Sequence, residues 1–162
     1  MTAKSIISLA FLTVLSCSMS PEAPITVYLI GDSTIANKET RAFPETGWGM
    51  PFTYFFDEGV KVENRAKNGR STKSFLAENL WQPILNDLKA GDYVFIQFGH
   101  NDEAVEKKER YAPPDLYKTN LERYVSETRS KGAQPILITP VSRRKFDTNG
   151  KVFQNSSDPV QK

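Results

Sequence analysis

From Ile25 onward, short apolar runs of strand length alternate with segments whose apolar residues recur at helical spacing. That alternation predicts a layered α/β domain with a largely parallel sheet. The first strand is expected at Thr26 to Ile30, a nearly continuous apolar run of the kind buried on both faces and ended by Gly31. A weaker second strand is expected at Lys61 to Asn64, after a helix through Pro51 to Phe56 and a turn at Gly59. Ser71 to Leu80 and Gln82 to Leu88 read as helical, and Gly91-Asp92 turns the chain into a third strand, Tyr93 to Phe98, apolar apart from Gln97.

The clearest helix is expected from Pro114 to Lys131. Tyr117, Leu121, Tyr124, Val125 and Thr128 share one face, with Lys118, Glu122 and Arg129 on the other. Gly132 suits the left-handed residue that closes it. A fourth strand is expected at Pro135 to Thr139, stopped by Pro140. Beyond Val141 the periodicity ends, and residues 142–162 read as a long loop or tail.

Composition narrows the class. Hydrophobic residues make up 39%, charged residues 25%, and the formal net charge is +2, values of a globular protein that imply neither disorder nor a nucleic-acid partner. No phosphate loop, metal-ligand cluster or dinucleotide fingerprint is visible, so neither cofactor nor metal is expected.

Residues 1–24 read as an export leader and tether, with residues 25–162 as the domain. Lys4 gives a positive start and Ile6 to Leu15 an apolar run too short to span a bilayer. Val14-Leu15-Ser16-Cys17 resembles a bacterial lipobox, which implies lipidation at Cys17; ordinary cleavage near Ser18 or Ser20 is the other reading. Either way the protein is expected outside the cytoplasm, periplasmic or at the cell surface. Cys17 is the sole cysteine, so no internal disulfide forms.

Ligands of an open parallel sheet bind beyond the carboxyl ends of its strands. The expected strands are followed there by Gly31-Asp32-Ser33-Thr34, by Arg65 to Ser71, and by Gly99-His100-Asn101-Asp102. A serine directly after a buried strand and a glycine is placed as an exposed nucleophile would be, although Gly-Asp-Ser alone also makes an ordinary turn or cap. Acyl transfer creates an oxyanion, and the Ser33 amide, the Gly69 amide and the Asn101 side chain would supply converging donors. Gly69 equally fits a plain turn with Asn68.

These three blocks, in this order, resemble the first three of the SGNH (GDSL-type) hydrolase superfamily. Gly47-Trp48-Gly49, Asn64-Arg65-Ala66, Ile96-Gln97-Phe98, Asn120-Leu121 and Leu137 to Val141 leading to Arg143-Arg144 resemble its rhamnogalacturonan acetylesterase branch, over about Ile25 to Gly150. The resemblance implies a three-layer flavodoxin-like fold with strand order 2-1-3-4-5. It also implies Ser33 as nucleophile, Gly69 and Asn101 as oxyanion donors, and an acetylated plant polysaccharide as substrate. The family's base lies in an Asp-x-x-His block, and the sequence contains none; its one histidine is His100. The expectation is therefore a domain truncated at its C-terminus, lacking the fifth strand, inactive alone and poorly soluble, with strand four as an exposed apolar edge.

His100 suits substrate contact or a loop hydrogen bond better than service as base, since no group to orient its ring is identifiable. Arg143 and Arg144 either bind uronate carboxylates or begin a solvated tail. Trp48 either stacks on a sugar or fills the core beneath the first loop. The charged run Glu103 to Arg110 reads as a solvated loop, and Asp32 and Asp102 as loop-bracing acceptors. Three functional readings follow: an esterase fragment, a non-catalytic polysaccharide-binding module, or an enzyme completed by a second chain.

Overall fold

The computed structural model describes residues 24–141, 146 and 148–150. Cys17, Arg143, Arg144 and all of the expected leader except Pro24 lie outside the described residues.

Four parallel strands form one sheet in the order β2-β1-β3-β4, as expected. They are β1 (Ile25–Gly31), β2 (Val60–Asn64), β3 (Tyr93–Gln97) and β4 (Gln134–Leu137). Between them lie α1 (Gly49–Phe52, followed by a 3-10 turn at Thr53–Phe55), α2 (Thr72–Ala77), α3 (Trp81–Asp87) and α4 (Pro114–Ser130). The described residues hold no fifth strand.

Successive strand side chains point to opposite faces, and both faces of β1 are covered. Tyr28 and Ile30 join Val94 and Ile96 against Phe75, Trp81, Ile84, Tyr117 and Tyr124 of α2, α3 and α4. Val27 and Leu29 face the other way, with Ile35, Ala36, Trp48 and Phe52. This two-sided burial is the physical reason that β1 reads as an uninterrupted apolar run. Register brings the carboxyl ends level: Leu29 lies opposite Asn64 and Gly31 opposite Gln97.

Some expected boundaries shift. The helix expected at Ser71 to Leu80 stops at Ala77, because Asn79 takes a left-handed φ of 56°. There Leu80 N–H bonds to Phe75 O (3.1 Å) and Asn79 N–H to Leu76 O (3.0 Å), a Schellman closure built on an asparagine. Ser71 caps α2 rather than belonging to it: its Oγ accepts from Ser74 N and its N–H donates to Ser74 Oγ. β4 ends at Leu137 instead of Thr139, and Leu137 is 55% exposed on the outer strand. On α4 the deepest positions are Tyr117, Asn120, Tyr124 and Thr128, so Asn120 takes a buried place while Leu121 and Val125 flank the core.

Candidate active site

Gly31 ends β1 where a side chain cannot fit. A Cβ there would strike the Gln97 carbonyl and approach Ile35 Cγ2 to 2.7 Å. The buried Asp32 carboxylate then turns the chain, its Oδ1 accepting from Thr34 N (2.9 Å) and Thr34 Oγ1 (2.8 Å). Ser33 is half-buried at the head of this turn, and its Oγ has no hydrogen-bond partner among the described residues.

The second loop is joined to the first directly. Lys67 N–H donates to Gly31 O (3.1 Å). Lys38, whose side chain is only 3% exposed, donates from Nζ to Ser33 O (2.6 Å) and Asn68 Oδ1 (2.9 Å) and pairs with Glu45 (2.9 Å). Gly69 follows with a left-handed φ of 76°, which a side-chain-bearing residue adopts only at a cost.

The third loop is tied to the second. Asn101 Nδ2 donates to Arg70 O (2.9 Å), and Arg110 Nη1 donates to Asn101 Oδ1 (2.9 Å) and Gly69 O (3.3 Å). Asp102 Oδ1 accepts from the backbone N–H (2.9 Å) and hydroxyl (2.5 Å) of Thr72, and Asn120 Nδ2 donates to that hydroxyl oxygen (3.0 Å). Its Oδ2 is buried without a partner among the described residues, as is Oδ2 of Asp32. Burial pushes the Asp102 carboxyl up to about 7, against the lowering effect of the Thr72 hydrogen bonds and with a smaller raising contribution from Asp32. Both aspartates thus brace loops, as their positions in the sequence suggest.

Gln97 is a hub under all of this. Its Oε1 accepts from Trp48 Nε1 (2.7 Å) and Thr34 Oγ1 (3.1 Å), and its Nε2 donates to Thr139 O (3.0 Å). Trp48 is half-buried under the first loop, with its ring near-perpendicular to Phe52 at 5.4 Å. His100 Nε2 lies 2.6 Å from the Val141 carbonyl, which only accepts, so this nitrogen is the donor of that contact and ties the third loop to the segment after β4.

Ser33, Gly69 and Asn101 therefore belong to three hydrogen-bonded loops at one sheet edge. Lys38, Gln97 and Arg110 do the joining, and the sequence pattern gave none of the three a role in the site. Arg110 corrects an expectation outright: the run Glu103 to Arg110 is not merely solvated, since its last side chain folds back into the site. No signal in the linear pattern separates Arg110 from its charged neighbours. Among the described residues no group of His, Cys, Asp or Glu is placed to hold a metal ion, and no helix is long and apolar enough to cross a membrane.

A parallel sheet that gathers a serine, a left-handed glycine and an asparagine beyond its carboxyl edge defines a doubly wound α/β protein with its candidate site at that edge. The family pattern of the GDSL-like lipase/acylhydrolases matches residues 27–160, and the chain belongs to that family. It is 43% identical to the rhamnogalacturonan acetylesterase RhgT of Bacillus subtilis (strain 168) over 129 residues, 80% of this chain and 54% of that protein. It is 42% identical to the probable rhamnogalacturonan acetylesterase YesY of the same organism, over 80% of this chain and 58% of that one. The chain thus spans about half the length of these relatives. The crystal structure of YxiM from Bacillus subtilis superposes with a TM-score of 0.72 at 28% identity, over 86% of this chain and 40% of that one. The acetyl xylan esterase Axe2 of Geobacillus stearothermophilus shares the fold at a TM-score of 0.53 and 22% identity, over 71% of this chain and 59% of that one.

Proposed function

We propose that the chain carries the nucleophile and oxyanion portion of a carbohydrate acetylesterase that deacetylates a rhamnogalacturonan-type pectic polymer. The observation that carries the reading is the direct hydrogen bonding of the Ser33, Gly69 and Asn101 loops at the carboxyl edge of β1, β2 and β3. The substrate class comes from the acetylesterase relatives. In this reaction Ser33 Oγ attacks the acetyl carbonyl, and the oxyanion is held by the amides of Ser33 and Gly69 and by Asn101 Nδ2. The ester C–O bond breaks to release the sugar hydroxyl, and water then frees acetate from the acylated serine.

The proton of Ser33 needs a base. None of the described residues bonds Ser33 Oγ, and His100 has committed Nε2 to Val141. Turnover by these residues alone is therefore expected to be weak, at the level that oxyanion donors and binding supply. The same observation favours a second reading, a module that holds acetylated polymer without cleaving it.

Acetate release from acetylated rhamnogalacturonan by the full chain, with and without added imidazole as a diffusible base, tests both. Imidazole-dependent release that is lost in Ser33→Ala supports the esterase reading. Equal release by both proteins, or tight polymer binding with no Ser33-dependent release, refutes it, and the latter establishes the module. The proposal includes export and a lipid anchor at Cys17. Membrane association of the expressed chain that disappears in Cys17→Ala supports the anchor, and an unchanged distribution rules it out.

A further inference from the structure

We infer that Arg110 is a positioning residue that sets which end of the Asn101 carboxamide faces the reacting group. The inference rests on the reading of Asn101 as an oxyanion donor, and deepens it.

A carboxamide has a donor end and an acceptor end of nearly the same shape, and only the donor end stabilises a developing negative charge. A flip about the Cβ–Cγ axis exchanges the two ends. Here both orientations are not equivalent. Arg110 Nη1 donates to Asn101 Oδ1 at 2.9 Å, while Asn101 Nδ2 donates to Arg70 O at 2.9 Å. A flipped side chain would set its NH2 against the guanidinium N–H and its oxygen against the Arg70 carbonyl, two repulsive contacts in place of two attractive ones. Since Nδ2 carries two hydrogens, the bond to Arg70 uses one and leaves the second for the oxyanion.

The guanidinium does more than select a rotamer. Its bond to Oδ1 is charge-assisted, so it draws electron density from the carboxamide and strengthens the N–H at the other end. The same Nη1 reaches Gly69 O at 3.3 Å, so one cation fixes the side chain of one proposed oxyanion donor and the loop of another. Arg110 is itself held in place, since its backbone N–H donates to Lys107 O (3.0 Å) and its side chain is only 26% exposed. Its ion pair with Glu109 is long at 3.5 Å and competes little with these bonds. Lysine would keep the charge but not the planar guanidinium that fixes the directions of the two N–H bonds of Nη1.

The test combines a spectroscopic and a kinetic readout on the full chain. The side-chain NH2 pair of Asn101 is identified in 15N-labelled protein by its loss in Asn101→Asp. In Arg110→Met this pair is expected to shift and to gain fast motion, with the backbone fingerprint otherwise unchanged, and Arg110→Lys is expected to fall between the two. With imidazole present, kcat for an acetyl ester is expected to fall about 10- to 100-fold in Arg110→Met, with KM within about twofold. An Asn101 pair that superposes on wild type in Arg110→Met overturns the inference, as does a loss confined to KM. Should Arg110→Met fail to fold, the same two criteria apply to Arg110→Lys. If wild type and Ser33→Ala hydrolyse equally, it is the esterase reading that falls, while the NMR result still decides whether Arg110 holds Asn101.

Discussion

Replacing Asp102 by asparagine should remove a pH dependence from the stability of the domain. Asp102 is fully buried beside the proposed oxyanion residue, and its Oδ1 holds both donors of Thr72 at the start of α2. Burial raises its pKa from 3.8 to about 7. A carboxyl that is easier to protonate in the folded state stabilises the fold when protonated. That contribution is complete below the unfolded pKa and is lost as pH rises through the folded one.

The rise from 3.8 to about 7 corresponds to about 4 kcal/mol between the two limits. Between pH 5 and pH 8, where the unfolded carboxyl is already ionised, about 2–3 kcal/mol of that should disappear. The substituted asparagine would keep an acceptor for Thr72 and place an NH2 where Oδ2 has no partner among the described residues. Any desolvation cost of that NH2, about 1–3 kcal/mol, is independent of pH and cannot imitate the effect. Urea unfolding of wild type and Asp102→Asn at pH 5, 6, 7 and 8 measures the difference directly. Wild type should lose stability relative to the variant across this window. Parallel stability curves would refute the argument that burial outweighs the Thr72 hydrogen bonds at this carboxyl.

Lys38→Met should cost about 1–3 kcal/mol, because it removes the buried ammonium from the Ser33 carbonyl, while the exposed Asn68 Oδ1 turns to water; hydrogen exchange at the two loops should accelerate, and unchanged exchange would show that the ammonium does not hold them. Gly31→Ala should lower stability by about 3 kcal/mol or more by forcing a Cβ into the Gln97 carbonyl, with a native-like melting temperature as the contrary result. Tyr124→Phe should keep the stack on Phe98 (5.7 Å) and the edge contact with Trp81 (5.2 Å) but lose the bond to Thr72 O (3.0 Å). Its expected cost is about 1–2 kcal/mol in chemical denaturation, and a neutral outcome would mean that water replaces the hydroxyl.

The strands and their order were legible because burial on two faces writes itself into sequence as continuous apolar runs, as at β1 and β3. The loops were legible because each follows such a run. Local backbone choices were less so: nothing but Asn79 marks the left-handed break between α2 and α3. The helix expected at Pro51 to Phe56 proves to be the short α1 and a 3-10 turn, and Tyr54 and Phe55 are exposed. Long polar side chains were the least legible. Lys38 and Arg110 find their partners 30 and 41 residues away in sequence, at Asn68 and Gly69, and such pairings obey no period. Asn120 looks like a boundary position on α4 until Thr72 is known to lie against it.

The joints between the three loops are polar, and that bears on how the site works. Apolar packing fixes where strands lie, but it does not choose between a carboxamide and its flipped form, or between an amide aimed at the crevice and one aimed away. Hydrogen bonds with a donor and an acceptor end make that choice, and here Lys38, Gln97, Arg110 and Asp102 make it at each loop. Donors oriented before substrate arrives cost no reorganisation as charge develops. In the proposed reaction, proton removal from Ser33 is a separate contribution, and none of these four side chains bonds its hydroxyl. The two contributions should then be separable by experiment: imidazole should raise the rate of wild type and of Arg110→Met by a similar factor, leaving the ratio between them unchanged. A ratio that collapses as imidazole is added would instead mean that Arg110 acts on the proton transfer, and that the oxyanion site is not assembled independently of the base.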